Sequence, residues 1–458
     1  MTETAGQPHT PSARGLPAPP WPLVMLVTGV ALLFDVVRVF LPSLITLYGR
    51  AGETAPAGMG MYAALWFVLP FAAVPAARLA PPRIVGVVGA VALVAARLCL
   101  QAADGGTPQL LLASAGVTAG LVFLYGCART TAGTWVPAGL IGGLAGASIL
   151  HLALDRMDLV WRDGPLPWIA VAALCAAFLW SVRLSPASPA PAPAAVWFVF
   201  GPVLMLAGMY CGGAAMLAQD TGQHGALLTA LSVVLQAAAL CAAVVCAWTA
   251  SSGGTVSSAG RPVSSGRPVS WSRTVSWGGL AGVLLVAGVA AAEAGVPGLP
   301  ALVTTVALGA CAGIAGRQAG TAAESTSGRG GVAVLGGMLV FLVGAFLYYA
   351  AFDADLGFPN ALVPVAVAVL VAAVAFRKAP RQRTAPTRRV PRRWAVIGLA
   401  AALLTGLLTW QSPPATKTIA GNSSRSWRTT SGWASGSAGG STSTASPPGS
   451  RRDVPTWC

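Results

Sequence analysis

Charge is what this chain has least of. Asp, Glu, Lys and Arg make up 9% of its 458 residues, against roughly 25% in an ordinary soluble domain, while apolar residues make up 55%. No soluble surface can be built from that composition. A bilayer accepts it, provided that each crossing segment satisfies its own backbone hydrogen bonds. The apolar runs are about 20 residues long rather than ten-residue alternating segments, which selects helices over an outer-membrane barrel. Paired cysteines are missing too. Cys99, Cys127, Cys175, Cys211, Cys241, Cys246, Cys311 and Cys458 stand singly, with no C-x-x-C and no neighbouring histidine, so they read as small buried apolar side chains rather than metal or redox ligands. A P-loop, H-E-x-x-H, G-x-S-x-G and a Rossmann glycine pattern in a strand–helix setting are all absent, which removes the commonest nucleotide, zinc and serine-hydrolase chemistries. No cleavable signal is expected, because the first apolar run, from Trp21, is too long for an h-region. The two halves show no inverted repeat and no paired broken helices, which counts against a transporter.

What is present is a succession of spans. Residues 1–20 read as a disordered cytoplasmic tail, and thirteen apolar segments follow near 21–48, 59–79, 83–101, 108–126, 132–154, 166–182, 194–219, 225–250, 276–292, 298–316, 331–352, 358–376 and 394–410. Basic residues near span ends stay on the cytoplasmic side. With the N-terminus inside, the inner segments hold eighteen Lys and Arg, while the outer loops hold only Arg50, Arg156 and Arg162 and most of the acids. The expected fold is therefore an all-α, polytopic transmembrane helix bundle of about thirteen spans, N-terminus in and C-terminus out, in the plasma membrane. Within the 21–410 membrane domain two inner loops are long. The one at 251–275 repeats GRPVS nearly in tandem and reads as a linker. The other, at 377–393, sets Arg377, Lys378, Arg381, Arg383, Arg388, Arg389, Arg392 and Arg393 against the inner leaflet, where each charge contributes about 1 kcal/mol on anionic lipid. The partners expected are the bilayer and its anionic inner-leaflet lipids, with no nucleic acid.

Charges inside a span cost roughly 2.5–3.5 kcal/mol each on insertion scales, so each needs a reason. Asp35 and Arg38 are three apart on one face of the first span and can pair; a structural ion pair and a polar substrate or ion site are both open. Pro42, four residues after Arg38, frees a backbone carbonyl. Arg97 is close to the end of the third span and can snorkel outward. His151 and Asp155 are spaced i, i+4 at the outer end of the fifth span, a spacing open to a proton or cation site or to a plain interfacial loop anchored by Trp161 and Trp168. Gly139/Gly143 and Gly142/Gly146 form overlapping G-x-x-x-G pairs suited to close helix packing.

After Trp410 the composition turns Ser/Thr/Gly-rich, and 411–458 reads as a disordered external tail. Only two Lys and two Asn occur in the whole chain, which implies GC-rich codons, and in such a gene the run from Ser426 to Ser446 can be read back from a shifted frame. The string so recovered carries Tyr-Asn in place of Thr429 and Thr430, and Val454 to Cys458 permits Pro-Asp-Val-Val. That string resembles the opening of an endonuclease/exonuclease/phosphatase-type domain. The membrane part, through the DVVRVFLPSL run at Asp35–Leu44 and the DLVWRDGPLPW loop at Asp158–Trp168, resembles the N-terminal half of bacterial members that carry a multi-span region before such a domain. The resemblance implies a membrane anchor for an outer-face, metal-dependent phosphoesterase, truncated here and inactive as an enzyme. It carries over no catalytic residue and no cofactor for this chain, divalent metal being expected only for the missing domain. Two other readings stand beside it: a transporter or lipid-handling protein using Asp35, Arg38 and Arg97, and a membrane scaffold.

Overall fold

Proline and glycine set the helix ends. In the computed structural model, which describes residues 20–48, 56–133, 135–154, 159–188, 192–211, 226–252, 271–296, 298–316, 328–353 and 356–376, the helices are α1 (Trp21–Tyr48), α2 (Pro56–Val68), α3 (Ala73–Leu79), α4 (Pro82–Gln101), α5 (Gly106–Thr130), α6 (Val136–Ala153), α7 (Pro165–Leu184), α8 (Ala194–Tyr210), α9 (Ala226–Ser252), α10 (Trp271–Glu293), α11 (Leu299–Gly316), α12 (Arg329–Asp353) and α13 (Leu362–Phe376). α4 and α7 begin on proline, where the missing N–H has no intrahelical partner to lose. Gly164, just before α7, adopts φ 95°, a left-handed backbone that only glycine takes without strain. Seven helices are long and apolar enough to cross a bilayer, and five shorter apolar helices join them; α2 and α3 form one span. The chain is thus a multi-pass helical membrane protein. Twelve expected spans each coincide with a described helical segment, whereas the thirteenth (394–410), both tails, the centre of the 251–275 loop and the arginines of 377–393 lie outside the described residues. So does the step that would carry the C-terminus outside. α10 starts at Trp271, five residues before the expected 276, and this shortens the linker ahead of it.

α2 and α3 are separated by a 3-10 turn, Leu69–Ala72, containing Pro70. A proline ring inside a helix displaces the carbonyl four residues earlier, here that of Trp66. The hydroxyl of Thr118 on α5 donates to that carbonyl at 2.8 Å, so a kink that would expose a polar group in lipid is closed by a neighbouring helix. Pro202 inside α8 acts in the same way on Phe198. The Phe198 carbonyl lies directly against Gly337 of α12, where a Cβ would collide with it.

The helix pairings repeat. α1 packs on α5, α6 and α7, and α8 packs correspondingly on α11, α12 and α13; α4 meets α5 and α7 as α10 meets α11 and α13. Across the middle, α5–α12 and α2–α12 on one side answer α11–α6 and α9–α6 on the other. Helices α1–α7 and α8–α13 are therefore two six-span repeats with matching helix pairings. The absence of an inverted repeat in the sequence is compatible with this, because parallel repeats are the other way of building a two-part membrane bundle; the inference against a transporter drawn from that absence does not hold.

Lipid tails are as apolar as leucine, so association rests on close packing of small residues. Gly86 faces Gly126 between α4 and α5, and Gly201 faces Gly337 between α8 and α12. Of the expected G-x-x-x-G pairs, Gly139 and Gly143 lie against Leu26 and Val30 of α1, while Gly146 faces open space. Large apolar side chains such as Met61, Ile84, Val88 and Ile169 point outward, as a lipid-facing surface requires.

Candidate functional site

Three ionisable side chains of the first repeat, Asp35, Arg97 and His151, are buried in its interior. Asp35, in the middle of α1, is 2% exposed, and Arg97 on α4 is 0% exposed. His151, in the last turn of α6, is buried as well. Its Nε2 stands 3.4 Å from Asp35 Oδ1, and its ring tilts against Phe34, 6.0 Å between centroids. The guanidinium of Arg38 sits 5.9 Å from the centre of the same phenylalanine ring. Asp35 is thus tied across to α6, as well as sharing its own helix face with Arg38. Asp155, the other half of the expected i, i+4 pair with His151, lies outside the described residues.

Arg97 departs from its expected role. It does not snorkel: Nη1 donates to Gln101 Oε1 at 3.1 Å, and Gln101 Nε2 donates in turn to the Leu159 carbonyl at 2.8 Å. α4 continues to Gln101 and the outer turn folds over it, so the guanidinium finds a protein acceptor before it can reach headgroups. Ser148, one turn before His151, is 1% exposed, and its Oγ has no hydrogen-bond partner among the described residues. Gln101 and Ser148 are neutral, which is why a search for intramembrane charge passes over them.

The second repeat has a different polar centre. Gln236 of α9, fully buried, donates from Nε2 to the Cys211 carbonyl at 3.2 Å and to Thr305 Oγ1 at 3.1 Å. Near the outer end the Tyr210 hydroxyl donates to Glu293 Oε1 at 2.5 Å. Glu293 is the last residue of α10 rather than part of a loop. At the inner face the basic residues close helix ends: Arg83 Nη2 donates to the carbonyls of Arg183 and Ser185 at 3.4 and 3.3 Å. Among the described residues no three His, Cys, Asp or Glu side chains gather to hold a metal.

Against known proteins, no family model matches the chain, and no curated protein sequence matches it. Its fold does have solved counterparts. The structure of the major facilitator superfamily proton:xylose symporter XylE, bound to 6-bromo-6-deoxy-D-glucose, superposes with a TM-score of 0.51 at 13% identity, over 79% of this chain and 95% of that one. The chain shares the fold of that symporter. The human organic anion transporter MFSD10 (TETRAN) aligns with a TM-score of 0.44 at 15% identity, over 78% of this chain and all of that one.

This overturns the resemblance to membrane-anchored endonuclease/exonuclease/phosphatase proteins. The run at Asp35–Leu44 is the second half of α1 and carries a buried acid facing α6. The Trp161–Trp168 stretch runs from a 3-10 turn through Gly164 into the first turn of α7, which Pro165 starts. Both are what a polar-centred bundle needs at those places, and neither marks a missing catalytic domain.

Proposed function

We propose that this protein is a secondary transporter that moves a small solute by rocking its two six-span repeats against each other, with proton movement coupled at Asp35 and His151. Fold alone does not assign function; the observation that carries the reading is the buried Asp35–His151 pair, 3.4 Å apart, in a repeat that also buries Arg97 of α4. Ionisable side chains are retained within membrane spans chiefly where ions, protons or substrates pass. A carboxylate and an imidazole this close can hold one proton more or one fewer between them, which is what a carrier site requires. The XylE counterpart is a proton symporter by name, and this supports the coupling ion without naming a solute for this chain. Arg377, Lys378, Arg381, Arg383, Arg388, Arg389, Arg392 and Arg393 fit contact with anionic inner-leaflet lipid, which would fix the bundle's orientation rather than take part in transport.

The test is proton flux in reconstituted vesicles with a trapped pH dye, screened against families of small hydrophilic solutes. At least one solute is expected to drive proton entry, and Asp35→Asn should reduce that flux about tenfold or more, since it removes the ionisable carrier. Flux that survives Asp35→Asn, or no solute-linked flux across the screen, would overturn the reading.

A further inference from the structure

Arg83 does more than close a helix end. Its Nη2 spends its hydrogens on the carbonyls of Arg183 and Ser185, and a guanidinium has five N–H donors in all, so three remain on Nη1 and Nε. The same side chain forms part of a cleft at the inner end of α4, α5 and α7, enclosing about 400 Å³ and partly open to the surroundings. Thr130 and Ser185 line its polar end with Arg83, and Val87, Phe123 and Val182 line the other. Val87 is one turn beyond Arg83 along α4, and Phe123 is seven residues before the end of α5. At 1.5 Å per residue the walls therefore change from polar to apolar over roughly 5–10 Å. The cleft is held in shape by backbone. Ser188 N–H donates to the Thr130 carbonyl at 2.7 Å and Ala192 N–H to that of Thr131 at 3.1 Å, while Gly86 against Gly126 fixes α4 on α5.

The charge around it has one sign. Arg78, Arg83, Arg129 and Arg183 stand at the inner ends of α3, α4, α5 and α7. The acids described in this repeat lie elsewhere: Asp35 in mid-α1, Asp104 after the outer end of α4 and Asp163 before the outer start of α7. The hydroxyls add a second requirement. Thr130 donates to the Gly126 carbonyl at 2.9 Å and Ser185 to that of Ser181 at 2.7 Å, so each has its proton committed and offers the cleft lone pairs alone.

We propose that this cleft binds one anionic phospholipid of the inner leaflet whose headgroup carries hydroxyls, as phosphatidylglycerol does. Its phosphate accepts from Arg83, its headgroup hydroxyls donate to Thr130 and Ser185, and its first acyl carbons lie against Val87, Phe123 and Val182. Basic pockets between spans at the cytoplasmic face recognise lipid headgroups by this chemistry. Ile84, Val88 and Val91 of α4 are exposed beside the cleft and carry its apolar wall on into the bilayer, giving the chains a surface to follow. A free phosphate would fill the polar end and leave the apolar end empty. The arginines of 377–393 draw anionic lipid as a layer; the cleft selects a single molecule. The site goes beyond the transport reading and does not depend on it.

Native mass spectrometry of the full chain, released from detergent, counts the lipids that stay bound when phosphatidylglycerol or phosphatidylcholine of the same acyl composition is added. One phosphatidylglycerol is expected to be retained at about a tenth of the concentration that phosphatidylcholine needs, as one charge-assisted hydrogen bond would give. Arg83→Gln should remove that advantage. Ala187→Trp, at an exposed position on the cleft wall, keeps every charge and blocks the space, so it should weaken retention equally and serves where Arg83→Gln does not fold. Replacing Arg388, Arg389, Arg392 and Arg393 together by Gln should leave the single lipid in place. Retention unchanged in Ala187→Trp, loss of the lipid in the 388–393 variant alone, or equal retention of phosphatidylcholine would overturn the site. Inorganic phosphate that raised the unfolding temperature as much as phosphatidylglycerol would replace the lipid with a free anion and overturn it too.

Discussion

The two six-span repeats are built alike and filled differently. Both hold a central helix against three partners, and both use glycine where backbones meet. Yet the first repeat buries a carboxylate, an imidazole and a guanidinium, while the second buries an amide, threonine hydroxyls and a thiol, with Glu293 kept to its outer end. Packing therefore constrains the repeats in common, and the polar interior is where they have diverged. A charge inside a span is tolerated only with a partner on another helix, so the divergence was free to occur wherever such a partner could be supplied.

The common packing gives the largest expected effect. A side chain at Gly337 would drive into the Phe198 backbone, and one at Gly143 into Val30 and the Val27 carbonyl, whereas Gly146 faces open space. Gly337→Leu and Gly143→Leu should each cost about 3 kcal/mol or more, at or beyond the upper end of ordinary overpacking because backbone cannot yield as a side chain can. Gly146→Leu should be near neutral. Thermal unfolding in detergent, followed by size-exclusion fluorescence, reads all three. Tolerance of Gly143→Leu beside collapse of Gly337→Leu would break the equivalence of the repeats.

The divergent interior gives the next. If the first repeat handles protons and the second the solute, Gln236→Leu should leave the proton site intact while raising the solute KM, on the order of tenfold for one lost buried hydrogen bond. Asp35→Asn should do the opposite, cutting flux with little change in KM. Measuring flux against solute concentration in both variants separates the two. Equal losses of coupling and affinity in each would merge the two centres into one site.

How much of this the sequence carries depends on the kind of property. Span positions were legible because hydrophobic length is local, and twelve helical segments fall where apolar runs of about 20 residues place them. Asp35 and His151 stood out because charge and imidazole are rare in such runs. Their contact was not legible, since nothing in a hydropathy pattern relates α1 to α6. Arg97 is visible in the sequence but its role is not: its closeness to a span end suggests an escape to headgroups, and only the fold reveals Gln101 and the Leu159 carbonyl in the way. Gln236 and Gln101 passed unnoticed because neutral amides barely disturb an apolar average. The matching pairings escaped because glycine contacts such as Gly86–Gly126 and Gly201–Gly337 repeat in space without repeating in spacing.

The smallest effect sets one kinked helix of each repeat side by side. Pro70 frees the Trp66 carbonyl, which takes a hydroxyl from Thr118 at 2.8 Å; Pro202 frees the Phe198 carbonyl, which faces Gly337. A hydroxyl donor removed from a membrane interior typically costs about 0.6 kcal/mol, up to roughly 1.7, so Thr118→Val should lower the unfolding temperature by only a few degrees. Thr118→Ser keeps the donor and should restore most of it. At the second kink no hydroxyl of the described residues is seen on the Phe198 carbonyl, and a Cα–H contact from glycine would contribute about 0.5–1 kcal/mol at most. Gly337→Ala must then act through collision rather than through a lost donor. If Thr118→Val matched Gly337→Ala in cost, the hydroxyl would be holding α2 and α3 in place as well as satisfying a carbonyl. The two kinks would then differ in structural weight as well as in chemistry.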